Sequence, residues 1–419
     1  MTKEERLKKR HQAEKRFRFY GLASIFVALL FVAILVQNIF SKGSSAFKKT
    51  VITTEVFFDQ ELLEIQNGAS TEEIMEADFY DIMIENLIKA YPAKDRKEED
   101  QLLKLFSGDA EIEIKKAFLK NNNLIGKTIT LDLTASDDID QLHKGNYPRD
   151  LPEERRRISD FQLVIYDYFV ENKKISKNFN NYFFNNGDSR DPELAGIGGA
   201  LVGSFYSILI CLLLAFPVAV LASIYLEEFA PKNRFIDFVE VNINNLAAVP
   251  SIIYGLLGLA VFINFFGMPR SAPLVGGLVL ALMTFPVIII ASRAALQSVP
   301  PSITDAALGV GASKIQTVFD HVFPLALPGM LTGSIIGMAR ALGESAPLLM
   351  IGMVAFVVDV PSSPLDSSAA LPVQVYLWAD APERGFVERT SAAILVLLFF
   401  LLLMNSTAIW LRNKFETKW

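Results

Sequence analysis

The sequence predicts an all-α polytopic membrane protein with six spans and one inserted α+β domain outside the membrane. Three observations carry this expectation. The chain has 419 residues, 51% of them hydrophobic, and a mean hydropathy of +0.32, too apolar for one soluble domain of that length. Charged residues, 21% of the total, are unevenly placed: residues 41–193 hold most of the acids, and the rest is apolar with short basic loops. Arg340 and Glu344 stand inside an apolar run of more than thirty residues, Leu325 to Val358. A charge at bilayer depth costs about 2.5–3.5 kcal/mol on insertion scales. Two charges there mark a polar path rather than a lipid-facing surface, so the chain is expected to move something across a bilayer. The net charge of -6 averages over two solvents and points to no nucleic-acid partner. The single cysteine, Cys211, excludes an intrachain disulfide.

The spans follow in order. Lys3, Arg6, Lys8, Lys9, Arg10, Lys15, Arg16 and Arg18 precede an apolar stretch at 19–40. That stretch is of spanning length, and Gln37, Asn38 and Ile39 do not make a signal cleavage site. It reads as an uncleaved anchor, with a cleaved signal as the alternative. Five more apolar segments lie at 198–226, 246–266, 272–293, 326–358 and 391–411. The basic N-terminus puts residues 1–18 in the cytoplasm. Alternation then puts 41–193 outside, 227–245 inside, 267–271 outside, 294–325 inside, 359–390 outside and 412–419 inside. Lys232, Arg234, Lys314, Arg412, Lys414 and Lys418 fall on inside segments, and Arg270 is the outside exception. The fifth segment is too long for a straight span. Gly343 and Pro347 predict a tilt, a kink or a re-entrant piece there. Pro217, Pro250 and Pro286 are further kink candidates. The chain thus divides into an anchor at 1–40, an extracytoplasmic domain at 41–193 and a permease-like domain at 194–419.

Within the outer domain, residues 71–90 carry apolar side chains at helical spacing, and residues 124–135 alternate like a strand. Asp137, Asp138 and Asp140 lack the glycine and distal glutamate of a calcium loop and read as a solvated acidic loop.

No nucleotide-binding or nucleophile motif is present. Residues 309–314 (GVGASK) lack the Walker spacing, and His11, His143 and His321 do not cluster. The chain therefore reads as a non-enzyme without a metal or cofactor, and uphill transport would draw energy from a partner or an ion gradient. The inside loop 301–324 places small residues Ala306 and Ala307 beside Asp305, then Gly309 and Gly311, then an amphipathic run to Pro324. Small residues allow close approach of another surface, and glycines permit a sharp turn. The loop looks like a short helix presented to a partner, or an ordinary interfacial helix.

That loop resembles the cytoplasmic coupling loop of ABC-importer permeases, matched here by Asp305-Ala306-Ala307, Gly311 and Phe323-Pro324. Asp305 stands where the family has glutamate, and His321 where it has an aliphatic residue. The stretches 245–262, 285–300, 339–349 and 370–378, in that order, resemble the A-type permease subunit of the bacterial phosphate transporter. The likeness covers about 195–419, and 41–193 lies outside it. It implies a type I ABC-importer permease fold in the bacterial inner membrane. It also implies a second permease subunit, a cytoplasmic ATPase dimer that binds ATP and Mg, and an extracytoplasmic phosphate-binding protein. The coupling residues would be Asp305, Ala306, Ala307, Gly311 and Pro324.

Gly333, Gly337, Arg340 and Glu344 recur at spacings that share one helix face. Arginine offers a planar, always charged fork that matches two phosphate oxygens. Glu344 is one turn away, so a structural ion pair is one reading. The other is selectivity: protonated phosphate carries P–OH donors, sulfate carries none, and a carboxylate facing sulfate is left unpaired. Arg293 either helps receive the anion or snorkels to headgroups. Tyr254 and Thr284 are further path candidates, and helix packing would equally satisfy their hydroxyls. A sulfate or molybdate permease, a membrane-anchored sensor and a gradient-driven transporter remain as rivals.

Overall fold

The computed structural model describes residues 3–91 and 93–415. Helix α1 (Lys3–Gly43) is one rod in which the basic front continues into the apolar stretch. At about 1.5 Å per residue it outspans a hydrocarbon core of about 30 Å. Its apolar side chains, Phe26 and Phe31 among them, stay exposed as lipid-facing groups do.

The chain then builds a small α+β unit. Strand β1 (Lys48–Phe57) sends Ile52 and Val56 into a core and leads towards helix α2 (Phe79–Ala90). The expected helix at 71–90 is two pieces. Ser70 and Glu73 form a capping box for Thr71–Glu76, and the Asp78 carboxylate accepts from the N–H groups of Tyr80 and Asp81, starting α2 afresh. An internal N-cap outcompetes the continuous apolar periodicity. Helix α3 (Ala110–Lys120) follows, then β2 (Thr128–Thr134), inside the expected strand. Helices α4 (Asp137–Lys144) and α5 (Asp160–Glu171) and strand β3 (Ile175–Phe179) complete the unit. The sheet is antiparallel in the order β2-β1-β3, with Val51 opposite both Thr134 and Ser176. Phe58, Phe79, Phe118 and Phe169 pack between helices and sheet.

The main helices of the rest of the chain are α6 (Gly198–Ile224), α7 (Arg234–Ala247), α8 (Ser251–Gly258), α9 (Pro273–Gln297), α10 (Pro301–Gly309), α11 (Phe323–Gly343), α12 (Ala346–Met350), α13 (Leu371–Ala379) and α14 (Gly385–Phe415). Among the described residues five helices are long and apolar enough to cross a membrane, or six if one bent pair counts as a span. That pair is α7 with the helix from Ser251 to Phe265, bent by 101°. Pro250 sits at the break, where its ring forbids a continued helix. Residues 227–245, expected as an inside loop, are largely helical instead. Asn233 caps α7 by accepting from Phe235 and Ile236, and Phe235, Phe238 and Val241 give α7 an exposed apolar surface. Such a helix lies along a membrane surface more readily than it crosses.

The fifth apolar segment is a long helix followed by a break and a short helical turn. Helix α11 ends at Gly343 because Glu344 leaves helical space with ψ 119°, and α12 restarts with Pro347 near its beginning. The bundle core joins α6, α9 and α11 around Cys211, Leu280, Ile288 and Met338. Gly333 makes that approach possible: a Cβ there would lie 2.2 Å from the Ala291 side chain.

Candidate functional site

Gly333 and Gly337 are buried against α9, whereas Arg340 is exposed on α11 and Glu344 lies half-buried just past its end. The shared helix face expected for them is therefore split. The glycines let α11 seat on α9, and that seating sets the depth of the charge. Gly337 lies against Thr284 and Ile288, near the middle of α9. Arg340 stands one turn further along, three residues before the end of α11, with its side chain 46% exposed beside exposed Ile336. Its one ion-pair partner among the described residues is Glu344, at 3.6 Å from Nε to Oε1. That distance is too long for a hydrogen bond. Among the described residues no hydrogen bond reaches the terminal nitrogens of Arg340, and the guanidinium is half exposed.

The other path candidates are engaged elsewhere. Thr284 is buried, and its hydroxyl donates to the carbonyl of Leu280 or Ala281 and contacts the Cys211 sulfur. Tyr254 donates to the Leu246 carbonyl at 2.8 Å and so holds the α7–α8 bend. Arg293 donates through Nε to Glu227, just past α6, at 3.2 Å and through Nη2 to Glu240 of α7 at 2.8 Å, tying α7 and α9 to the end of α6.

The loop 301–324 is a helix, a stop and a second helix start. Pro301 opens α10 at a position where its missing N–H costs nothing. Ala312 N–H donates to Ala307 and Gly311 N–H to Leu308, the double closure of a Schellman stop. It needs a left-handed residue, and Gly311 supplies φ +92°. Ser313 and Gln316 then form a capping box that starts the next helix, which runs through Pro324 into α11. Asp305 and Ala306 face outward, while Ala307 is buried. Leu308, Val310, Ile315 and Phe319 are exposed around the turn, with Val310 at 87%. This is an apolar patch at the end of the bundle opposite the α+β unit.

A third cluster was hidden in the sequence. Asp137, Asp138 and Asp140 are not a solvated loop. They occupy the first turn of α4, where carboxylates complement the helix dipole. Among the described residues no group of three candidate ligands could hold a metal ion. Asp140 is buried and accepts from Thr50 N–H. Lys144 donates to Asp140 at 2.6 Å and to Glu388 of α14 at 2.5 Å, with all three side chains at most 5% exposed. Arg389, also buried, donates to the Glu193 carbonyl at 3.4 Å and lies over the Phe183 ring. Burial raises the carboxyl of Asp137 to about 6, helped by neighbouring Asp140 and Asp138. Burial likewise raises Glu193 to about 7, with Asp137 and Asp191 adding to the effect. The only local signal was Glu388-Arg389 at the head of an apolar helix; Lys144 is 244 residues away from Glu388.

Comparison with known proteins decides the family. Residues 198–419 match the model described as "Binding-protein-dependent transport system inner membrane component". The chain belongs to that family. Residues 4–153 match a domain of unknown function, DUF3333, so the two matches leave 154–197 between them. The chain is 36% identical over 155 residues to the probable ABC transporter permease protein YqgI of Bacillus subtilis, covering 37% of this chain and 52% of that one. It thus spans about half the length of that relative. It is 30% identical to the phosphate transport system permease protein PstA of Haemophilus influenzae, over 53% of this chain and 78% of PstA. A probable PstA of Methanocaldococcus jannaschii is also 30% identical, over 49% of this chain and 72% of that one. Among solved structures, a chain of the MetNI methionine ABC transporter is 18% identical, with a TM-score of 0.41 over 53% of this chain and 95% of that chain. The family describes transport components, and the membrane half of this chain is a PstA-like permease.

Proposed function

We propose that this chain is the membrane permease subunit of an ATP-driven phosphate importer and forms half of its translocation path. One observation carries the reading: a guanidinium on an exposed face of α11, 46% exposed, whose terminal nitrogens have no partner among the described residues. A second permease subunit would cover that face, and the path would run between the two. Arg340 would meet the dehydrated anion there with two parallel donors. Glu344 would accept from a P–OH group. Arg293, Tyr254 and Thr284 would hold the helices that line the path rather than touch the anion. The likeness to PstA proteins supports phosphate over sulfate or molybdate.

The exposed patch at Leu308, Val310, Ile315 and Phe319, with Asp305 and Ala306 beside it, would dock on a cytoplasmic ATPase dimer. That dimer would bind ATP and Mg, and its closure would act on α11 through Gly311, Ala307 and Pro324. A soluble phosphate-binding protein would deliver ligand on the opposite side, where 41–193 lies. The protein would sit in the inner membrane with both termini cytoplasmic, as the basic residues of segments 1–18 and 412–419 favour.

The test is radiolabelled phosphate uptake in cells carrying Arg340→Ala, with membrane expression checked. Uptake should fall at least tenfold, the order expected when a charged hydrogen-bond donor to an anion is removed, and excess sulfate should not compete in the native protein. Native uptake rates in the variant would end the proposal. Uptake that persists without any ATPase would support gradient-driven transport instead.

A further inference from the structure

The α+β unit and the segment leading into α14 enclose a cavity of about 400 Å³ that the transport path does not use. This lies within the range of about 300–1,000 Å³ common for small-molecule sites. Arg149, Arg155, Arg156, Arg157 and Arg384 line it, against one acid, Glu383. Arg149 is held by Asp167 at 2.5 Å, and Arg157 lies 3.8 Å from Asp138. Arg155 and Arg384 make no ion pair among the described residues, and Arg384 stacks on the Tyr147 ring at 5.4 Å. Arg156 is largely buried beside them, with one terminal nitrogen on Asp160 and an Nε–H that is sealed from solvent and has no partner among the described residues. Arg155 and Arg384 are the free charges of this wall, and two guanidinium groups without an ion-pair partner on one cavity favour an anion there.

The remaining wall is apolar, with Leu142, Leu151, Ile158, Leu163 and Val387. The volume is far larger than an inorganic phosphate ion needs. We propose that this cavity binds an organic phosphate: a phosphate group held by the arginine forks, attached to an apolar body that fills the leucine-lined part. Guanidinium forks match the paired oxygens of such a group. Val387 lies at the start of α14, so the site is near the membrane surface, and a phospholipid headgroup or a soluble phosphate ester could both present this chemistry.

The test is calorimetric titration of hexyl phosphate into the full chain held in phosphatidylcholine nanodiscs. Saturable binding is expected, with hexanol giving none and inorganic phosphate binding at least tenfold more weakly. The double variant Arg155→Ser/Arg384→Ser should bind hexyl phosphate at least tenfold more weakly with an unchanged melting temperature, since both side chains are exposed. Competition by phosphatidylglycerol added to the nanodiscs supports the proposal with a lipid as the source; its absence supports it with a soluble ester. No binding by the native chain, equal binding by the double variant, or inorganic phosphate binding as tightly as hexyl phosphate overturns it.

Discussion

Two charge clusters in this molecule invert what their sequence settings suggest. Arg340 and Glu344 stand in one long apolar run, yet Arg340 is half exposed and the pair is too far apart to hydrogen-bond. Lys144 and Glu388 lie 244 residues apart, one of them in a polar stretch, yet they meet at 2.5 Å with almost no exposure. The first pair retains unused hydrogen-bonding capacity, as a binding site must. The second spends most of its capacity inside the protein, as a joint must. An apolar neighbourhood in sequence therefore does not report burial of a charge. Whether another element covers it does.

The comparison breaks first at Lys144. Lys144→Met leaves Asp140 and Glu388 buried beside each other without a cation, which costs about 3–5 kcal/mol when one partner of a buried pair is removed. Thermal unfolding of the reconstituted chain should show this loss, while Arg340→Ala should leave the melting temperature nearly unchanged. Equal melting of the native chain and the Lys144→Met variant would mean the joint carries no such stability.

Next comes the pH response of the same joint. Glu193 titrates near 7 in the folded chain, against an ordinary value of 4.5. The folded chain then holds a proton that the unfolded chain releases, so this group's contribution falls as pH rises from about 4.5 to about 7 and is flat above that. The upper bound is about 3 kcal/mol, at 1.36 kcal/mol per pH unit. Glu193→Gln should remove the decline, so its melting advantage over the native chain should grow between pH 5 and pH 8. Parallel melting curves across that range would place the carboxyl in water instead.

The smallest effect sharpens the other cluster. Glu344→Gln should lower the preference for phosphate over sulfate in uptake by about tenfold, since leaving one buried acceptor unpaired costs about 1–3 kcal/mol. Unchanged selectivity with normal uptake would reduce Glu344 to a neighbour of Arg340.

What the sequence determined by itself is whatever depends on local composition and period. Hydropathy located the five helices long and apolar enough to cross a membrane among the described residues, because a bilayer demands about twenty apolar residues in a row. The small residues with Gly309 and Gly311 of loop 301–324 made the helix and its sharp turn legible, since a glycine stop is written in adjacent residues. The strand at 128–134 was legible for the same reason. Only the tertiary structure decided which charges are free. Thr284, Tyr254 and Arg293 have the chemistry of path residues, yet Cys211, Leu246, Glu227 and Glu240, from elsewhere in the chain, occupy them. The helix at 234–247, the caps that split 71–90, and the joint at Lys144 likewise depend on which groups meet in space. A hydrogen bond or ion pair between distant residues leaves no period along the chain, so its pattern appears only once the chain has folded.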